Sequence, residues 1–235
     1  MAKKTLNHYL YLLFLLITIV LTQSCKEKEK AYVPVPKENS TDIFTSTKIT
    51  DDAEFMGSES CKECHKDQVE KWTGSHHDKA MELANRETIL AKFEGESFTS
   101  QGVTSRFFQR DNEFYANTEG PDGENHDYKI VYTFGFTPLQ QYIVQFPNGR
   151  YQCLSTAWDT KKNKWFNLYP DFKIVHSEWL HWSNGAMNWN NMCSTCHSTN
   201  VRKNYNPANG GYDTKYSIIN VSCEACHGPG KQHVN

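Results

Sequence analysis

The apolar residues of this chain are distributed in four different ways along its length. Residues 9–21 are almost continuously apolar, and residues 26–54 show no apolar repeat. Residues 66–92 place apolar side chains at helical spacing, and residues 98–165 hold short runs of Phe, Tyr, Val and Ile between turn residues. Each pattern is typical of a different element. The chain is therefore predicted to contain a leader, a linker, a helical segment and a β-rich segment, in that order.

The leader has the layout of a secretory signal peptide. Lys3 and Lys4 precede the apolar run, and small or polar residues follow it at positions 22–25. A basic start, a short apolar centre and small residues at a cleavage site are typical of exported proteins. Thirteen residues, 9–21, are fewer than the roughly 20 that a membrane-spanning helix needs, so an uncleaved anchor is the less favoured alternative. We predict a signal peptide over residues 1–24.

Cys25 stands where a bacterial lipoprotein carries its lipid-modified cysteine. The usual leucine three residues earlier is absent, because Thr22 holds that place and Leu21 lies one position further out. We predict that Cys25 is lipidated and anchors an exported protein, periplasmic or at the cell surface, to a membrane. The alternative is a plain periplasmic protein. Residues 25–54 are rich in charged and small polar residues, which predicts a flexible tether.

A helical segment is predicted over residues 55–97. Val69 and Trp72 lie three positions apart and share one face of a first helix, which Gly74 ends. Ser75 is suited to cap a second helix that runs to about Lys92.

Residues 98–170 are predicted to form a small antiparallel sheet of about four to six strands. Residues 147–149, Pro-Asn-Gly, are a tight-turn signature that joins two of the strands into a hairpin. The sheet is either a platform for a substrate or partner, or a scaffold that spaces the segments on either side. With a further segment over residues 171–235, the fold class is α+β, with few short helices, and residues 55–235 are expected to pack as one domain. The predicted strands are Val103–Gln109, Phe114–Asn117, Tyr128–Phe134, Gln140–Phe146 and Arg150–Trp158.

Charge narrows the range of partners. The formal net charge is −2, and it becomes −4 once residues 1–24 are removed with their two lysines. A mildly acidic chain argues against nucleic acid as a partner and suits proteins with basic patches.

Three copies of the pattern C-x-x-C-H carry the chemistry. In c-type cytochromes, the two thiols of this pattern bind a haem covalently and the adjacent histidine binds its iron. Zinc is the alternative, but zinc sites do not require a histidine directly after each second cysteine. We therefore predict three covalently bound haem c groups. The attachment cysteines are Cys61, Cys64, Cys193, Cys196, Cys223 and Cys226, and the proximal iron ligands are His65, His197 and His227.

Two of these motifs are close in sequence and one is distant. The second and third motifs start 30 residues apart, so their haems are expected to be neighbours, whereas the first starts 132 residues before the second. Cys153, which belongs to no motif, is predicted to be a small buried apolar residue. The tryptophans around the second motif are predicted to pack on porphyrin or in the core. Either His76 or His77 is placed to supply a second axial ligand.

Taken together, these residues resemble the cytochrome c-552/c-554 type of multihaem cytochrome. The resemblance rests on the first motif with Trp72, Ser75, His77 and Ala80, on the third motif with its Gly-Pro-Gly and His233, and on residues 132–135, 138–142, 168–170 and 181–182. The resembling subgroup often continues into further haem motifs and tetratricopeptide repeats, so we expect this chain to be the N-terminal part of a longer protein or a shortened relative. The resemblance implies mostly bis-histidine haems. It implies His77, His233 and His181 as distal ligands.

Three functions follow from this resemblance and from the motifs. Electron transfer to redox protein partners is favoured, because every motif supplies its own histidine and six further histidines can close the distal iron positions. The alternative is a haem oxidoreductase that acts on a small nitrogen or sulfur oxyanion. A docking module built on the β-rich middle is the third interpretation.

Overall fold

The computed structural model describes residues 54–235. The predicted signal peptide, the lipidation site Cys25 and nearly all of the tether lie outside the described residues. Within residues 54–235, no helix combines the length and the apolar character needed to cross a membrane.

The helices are short and lie around the three motifs. Helix α1 (Lys66–Trp72) buries Val69, and the indole of Trp72 donates a hydrogen bond of 2.9 Å to the carbonyl of Val221, which ties the first motif to the segment before the third. The α-helices are α1 (Lys66–Trp72), α2 (Trp189–Met192), α3 (Ser194–His197), α4 (Glu224–His227) and α5 (Lys231–Val234), and 3-10 turns cover Ser58–Cys61, Pro147–Gly149 and Gly185–Met187.

Eleven strands occur within the described residues. Nine of them form one antiparallel sheet, and the last two form a separate pair. The strands are β1 (Met81–Leu83), β2 (Glu94–Ser100), β3 (Val103–Arg110), β4 (Glu113–Glu119), β5 (Asn125–Phe134), β6 (Leu139–Gln145), β7 (Tyr151–Cys153), β8 (Thr156–Asp159), β9 (Lys164–Asn167), β10 (Tyr205–Asn206) and β11 (Gly211–Tyr212).

The large sheet follows the order β2-β3-β4-β5-β6-β8-β9, while β1 pairs with β5 and β7 pairs with β6. Strands β2 and β9, at the two ends of this order, contact each other, so the sheet curls round on itself. The turn between β6 and β7 has positive φ angles at Asn148 and Gly149, and the turn between β3 and β4 has them at Asp111 and Asn112, as short hairpin turns require. The prediction of four to six strands was too low, because β1, β2 and β9 were not foreseen.

The inner face of the curled sheet holds an aromatic core. Along β4 the buried residues are Phe114, Ala116 and Thr118, which alternate with partly exposed ones as expected for a strand with one buried face. Phe93 packs edge-on against Phe107, Phe114, Tyr142 and Trp165 at ring-centroid distances of 5.3–5.8 Å. Burying one such ring contributes about 1.5–3 kcal/mol, so this cluster stabilises the closure of the sheet.

A second, smaller core cluster joins the sheet to the second motif. Met81, Ile143, Cys153 and Trp189 are buried together, and Cys193 packs against them. Cys153 is 1% exposed, which confirms its prediction as a buried apolar residue.

The helix predicted from Ser75 to Lys92 is wrong. The Ser75 hydroxyl does accept weak hydrogen bonds from the next amides, but the chain leaves the helical path and enters β1 at Met81. Pairing of β1 with β5 outweighs the local helical pattern, since tertiary contacts override weak propensities. The molecule is mostly β with a few short helices, which fits the predicted α+β class in broad terms.

Candidate functional site

Each C-x-x-C-H motif forms a single helical turn. The amide of His65 donates to the carbonyl of Cys61 at 2.9 Å, and the amide of His227 donates to that of Cys223 at 3.1 Å. In the second motif, α3 begins directly after Cys193. Because residues four apart lie on one side of a helical turn, the first cysteine and the histidine of each motif share a side.

The motif cysteines are accessible to different degrees. The second cysteine of each pair is exposed and the first is partly buried, and all six are free thiols. Burial raises the pKa of Cys193 to about 11, with the neighbouring Cys196 acting in the same direction. Burial and then Cys223 raise the pKa of Cys61. Since the thiolate is the reactive form of cysteine, burial disfavours that form at Cys61 and Cys193.

One ring nitrogen of His197 makes a hydrogen bond, and the other is available to bind a metal. Its Nδ1 lies 3.3 Å from the backbone carbonyl of Ala80, and its ring centroid lies 4.0 Å from that of Phe134. A carbonyl only accepts hydrogen bonds, so Nδ1 carries the proton and Nε2 is left as the metal-binding nitrogen. Burial lowers the pKa of His197, and the Ala80 carbonyl acts in the opposite direction. The ring is therefore neutral, as a metal ligand must be.

The fold brings the first and third motifs together. The Cys223 thiol lies 3.5 Å from the Ser58 hydroxyl, just ahead of the first motif. The rings of His65 and His233 lie 6.0 Å apart between centroids, with planes 25° from parallel. The structure therefore brings these two histidine rings close together, next to the first motif.

His76 and His77 lie on an exposed segment that follows α1 and the first motif. The carbonyl of His77 accepts a hydrogen bond from the amide of Val221 at 3.3 Å, and the carbonyl of Asp78 accepts one from the Asn220 side chain at 2.8 Å. The ring of His76 packs against Phe136 at 5.1 Å. The structure thus holds His77 next to the residues that lead into the third motif.

His181 occupies a different environment. It is 7% exposed, its Nδ1 lies 2.8 Å from the Ser183 hydroxyl, and its Nε2 lies 3.6 Å from a carboxylate oxygen of Glu119. Burial lowers its pKa to about 4, with His176 acting in the same direction, so at neutral pH the contact with Glu119 is not an ion pair. His181 lines a cavity of about 50 Å³ whose other lining residues belong to no motif. Its role as a distal ligand stays a prediction.

The sequence matches one family model. The model, described as cytochrome c554 and c-prime, matches residues 60–105 and 152–228, which is just over half of the chain. The chain belongs to the cytochrome c554 family. Membership implies covalently bound haem c and, at a coarse level, electron transfer to redox partners. The residues between the two matched ranges, 106–151, belong to the large sheet and run from within β3 to the first residue of β7.

One solved structure is similar to this member of the family. It is the outer cell wall cytochrome OcwA, with 20% sequence identity and a TM-score of 0.49 over 77% of this chain. The alignment covers 33% of OcwA, so this chain spans about a third of its length. No curated protein matches the sequence.

The residues of this cytochrome fit the haem that its family implies. Exposed thiols stand beside a histidine in each motif, and Nε2 of His197 is free for iron. No group of three or more His, Cys, Asp or Glu within residues 54–235 is arranged to hold a metal ion. Haem attachment does not need such a cluster, because the porphyrin supplies four ligands and the protein one or two.

Three residues in or next to the motifs make contacts that were not predicted from the sequence. Ala80 contributes only a backbone carbonyl, and Phe134 lies in a strand far from the second motif in sequence. Glu224 lies inside the third motif and is 4% exposed. Its place between two cysteines gave no signal, because Glu63 occupies the corresponding region of the first motif and is exposed.

The tryptophans near the second motif mostly behave as predicted. Trp165, Trp182 and Trp189 are buried in the core, whereas Trp179 is 61% exposed.

Proposed function

We propose that this chain is an exported multihaem c-type cytochrome that transfers electrons through three covalently bound, mostly bis-histidine haems. Haem iron supplies the chemistry by cycling between its ferric and ferrous forms. The motif cysteines hold the haems, and His65, His197 and His227 are the proximal ligands. Redox proteins are the partners, and nucleic acid is not.

The observation that carries the proposal is the pairing of His65 with His233. The two rings lie 6.0 Å apart between centroids, so both histidines are near enough to the first motif to be ligands of the haem that it would hold. An iron with two histidines has no open position for a substrate, and axial ligation is the protein's main control over haem chemistry. This arrangement favours electron transfer over catalysis. His77 is the proposed distal ligand for a second haem, and His181 is the third candidate.

Haem content tests the first part of the proposal. In a host that matures c-type cytochromes, the denatured protein is expected to retain three haems by mass spectrometry. Replacing both cysteines of one motif by alanine should remove one haem and leave two. A colourless protein that carries stoichiometric zinc would contradict the proposal.

Ligand binding tests the second part. Electron paramagnetic resonance of the purified protein is expected to show low-spin ferric haem that does not change with cyanide, nitrite or hydroxylamine. A high-spin fraction that binds one of these ligands and turns it over would instead support the haem oxidoreductase alternative.

The N-terminal leader is the basis for the proposed location of the protein in the cell. We propose that the mature chain begins at lipid-modified Cys25 and is held at a membrane, on the periplasmic or outer side. Labelled palmitate should enter the wild-type protein and not the Cys25→Ala variant, which should leave the membrane fraction. A Cys25→Ala protein that is still processed and still membrane-bound would point to an ordinary signal peptide or an anchor helix.

A further inference from the structure

Glu224 is a buried carboxylate that joins three segments of the chain. Its Oε2 accepts hydrogen bonds from the amides of Gly57 at 2.8 Å and Met56 at 3.1 Å. Its Oε1 accepts from the amides of Met56 at 2.9 Å and Gly230 at 2.7 Å. Its side chain makes no ion pair with a lysine or arginine among residues 54–235, so backbone amides compensate the buried charge.

Two of these three segments lead to the paired histidines. Met56 and Gly57 lie directly ahead of the first motif, which contains His65. Gly230 is the residue from which α5 begins, and α5 carries His233. Burying a carboxylate is costly unless its oxygens are hydrogen-bonded, and bonds to a charged acceptor are the stronger ones. Glu224 therefore favours one arrangement of these segments over looser ones.

We propose that Glu224 is a positioning residue that holds His233 opposite His65. This inference rests on the proposed bis-histidine ligation of the haem at the first motif. His233 lies near the end of a four-residue helix whose residues are all exposed, so packing alone holds it weakly. The bond from Gly230 to Glu224 fixes the start of that helix, and the bonds from Met56 and Gly57 fix the first motif relative to it.

The test is the spin state of the haems in the Glu224→Gln variant. Glutamine keeps the size of the side chain but replaces one acceptor oxygen by a donor that faces backbone amides. We expect about one haem in three to change from low-spin to high-spin, and added imidazole to restore the low-spin signal. Hydrogen exchange should become about tenfold faster at the amides of Gly57 and Gly230. Glu59→Gln is the matched control, because Glu59 lies close by with a side chain that is 79% exposed.

Further variants separate this inference from the proposed function. His233→Ala should produce the same high-spin haem, and the double variant Glu224→Gln/His233→Ala should produce no more than either change alone. Gly230→Pro removes the amide donor to Glu224 and sets the proline ring against the carboxylate, since a Cβ there would lie 3.1 Å from Oε1. It should therefore act like Glu224→Gln, and it covers the case in which that variant does not fold.

The outcomes are distinguishable. If His233→Ala yields a high-spin haem while Glu224→Gln and Gly230→Pro stay low-spin, the role of Glu224 is wrong and the ligation stands. If His233→Ala leaves every haem low-spin, the proposed ligation by His233 is itself wrong. Equal high-spin fractions in Glu224→Gln and in the Glu59→Gln control would also overturn the inference.

Discussion

Replacing His181 by glutamine should remove a pH-dependent part of the stability. Burial holds the pKa of His181 at about 4, below its ordinary value of 6.5. The unfolded chain therefore binds a proton before the folded one does as the pH falls. The stability associated with the neutral ring is fully present above pH 6.5 and is lost as the pH falls toward 4.

The size of this effect follows from the difference between the two pKa values. At 1.36 kcal/mol per pH unit, the wild-type protein should lose about 2.5 kcal/mol from this residue between about pH 7.5 and about pH 4.5. Glu178 acts against burial by favouring the charged ring, and the pKa of about 4 for His181 already includes this effect. Ser183 keeps a hydrogen-bond partner in the variant, because glutamine can also accept or donate.

Guanidinium unfolding of the haem-loaded protein at the two pH values measures the effect. The wild-type protein should lose about 2.5 kcal/mol more than His181→Gln on acidification. His126→Gln removes an exposed histidine and serves as the control. Equal losses in wild type and His181→Gln would refute the reasoning. A new high-spin haem in His181→Gln would show instead that this histidine is the third distal ligand.

Three further substitutions test the packing. Phe93→Ala removes the ring at the centre of the aromatic core and should lower the free energy of unfolding by about 3–5 kcal/mol in denaturant titration. Gly149→Ala should lower the melting temperature, because φ is +69° there and the added methyl group would overlap the backbone carbonyl of Tyr212. Met81→Ala should lower the free energy of unfolding by about 2–5 kcal/mol, whereas the volume-conserving Met81→Leu should cost less than about 1.5 kcal/mol.

The strands that the sequence predicted are those with strong local patterns. β3, β4, β5 and β6 combine aromatic or β-branched residues with clear turn residues, and the hairpin at 147–149 has a turn signature of its own. β2 is mostly polar, and its one large apolar residue is Phe98. It is a strand because it pairs with β3. β1 has three residues and lies where the local pattern favours a helix, so only its pairing with β5 explains it.

The candidate site also has parts that the local sequence predicts and parts that depend on tertiary contacts. The three motifs are local patterns and were visible in the sequence. Their mutual placement depends on contacts between distant residues, such as that of Glu224 with Met56, 168 positions away. The pairing of His65 with His233 depends on the same contacts. A single sequence identifies which histidines are available but contains no distance between them.

The sheet acts as a scaffold for the second motif. The carbonyl of Ala80, just before β1, accepts from the amide of Gly135 at 3.0 Å, just after β5, as well as from His197. Phe134, the last residue of β5, packs against the same histidine ring. The β1–β5 pair therefore fixes both neighbours of His197, which sets the orientation of the ring and the tautomer that leaves Nε2 free. A histidine held on both sides moves little when the charge on a bound metal changes, and that small reorganisation is what electron transfer requires of its ligands.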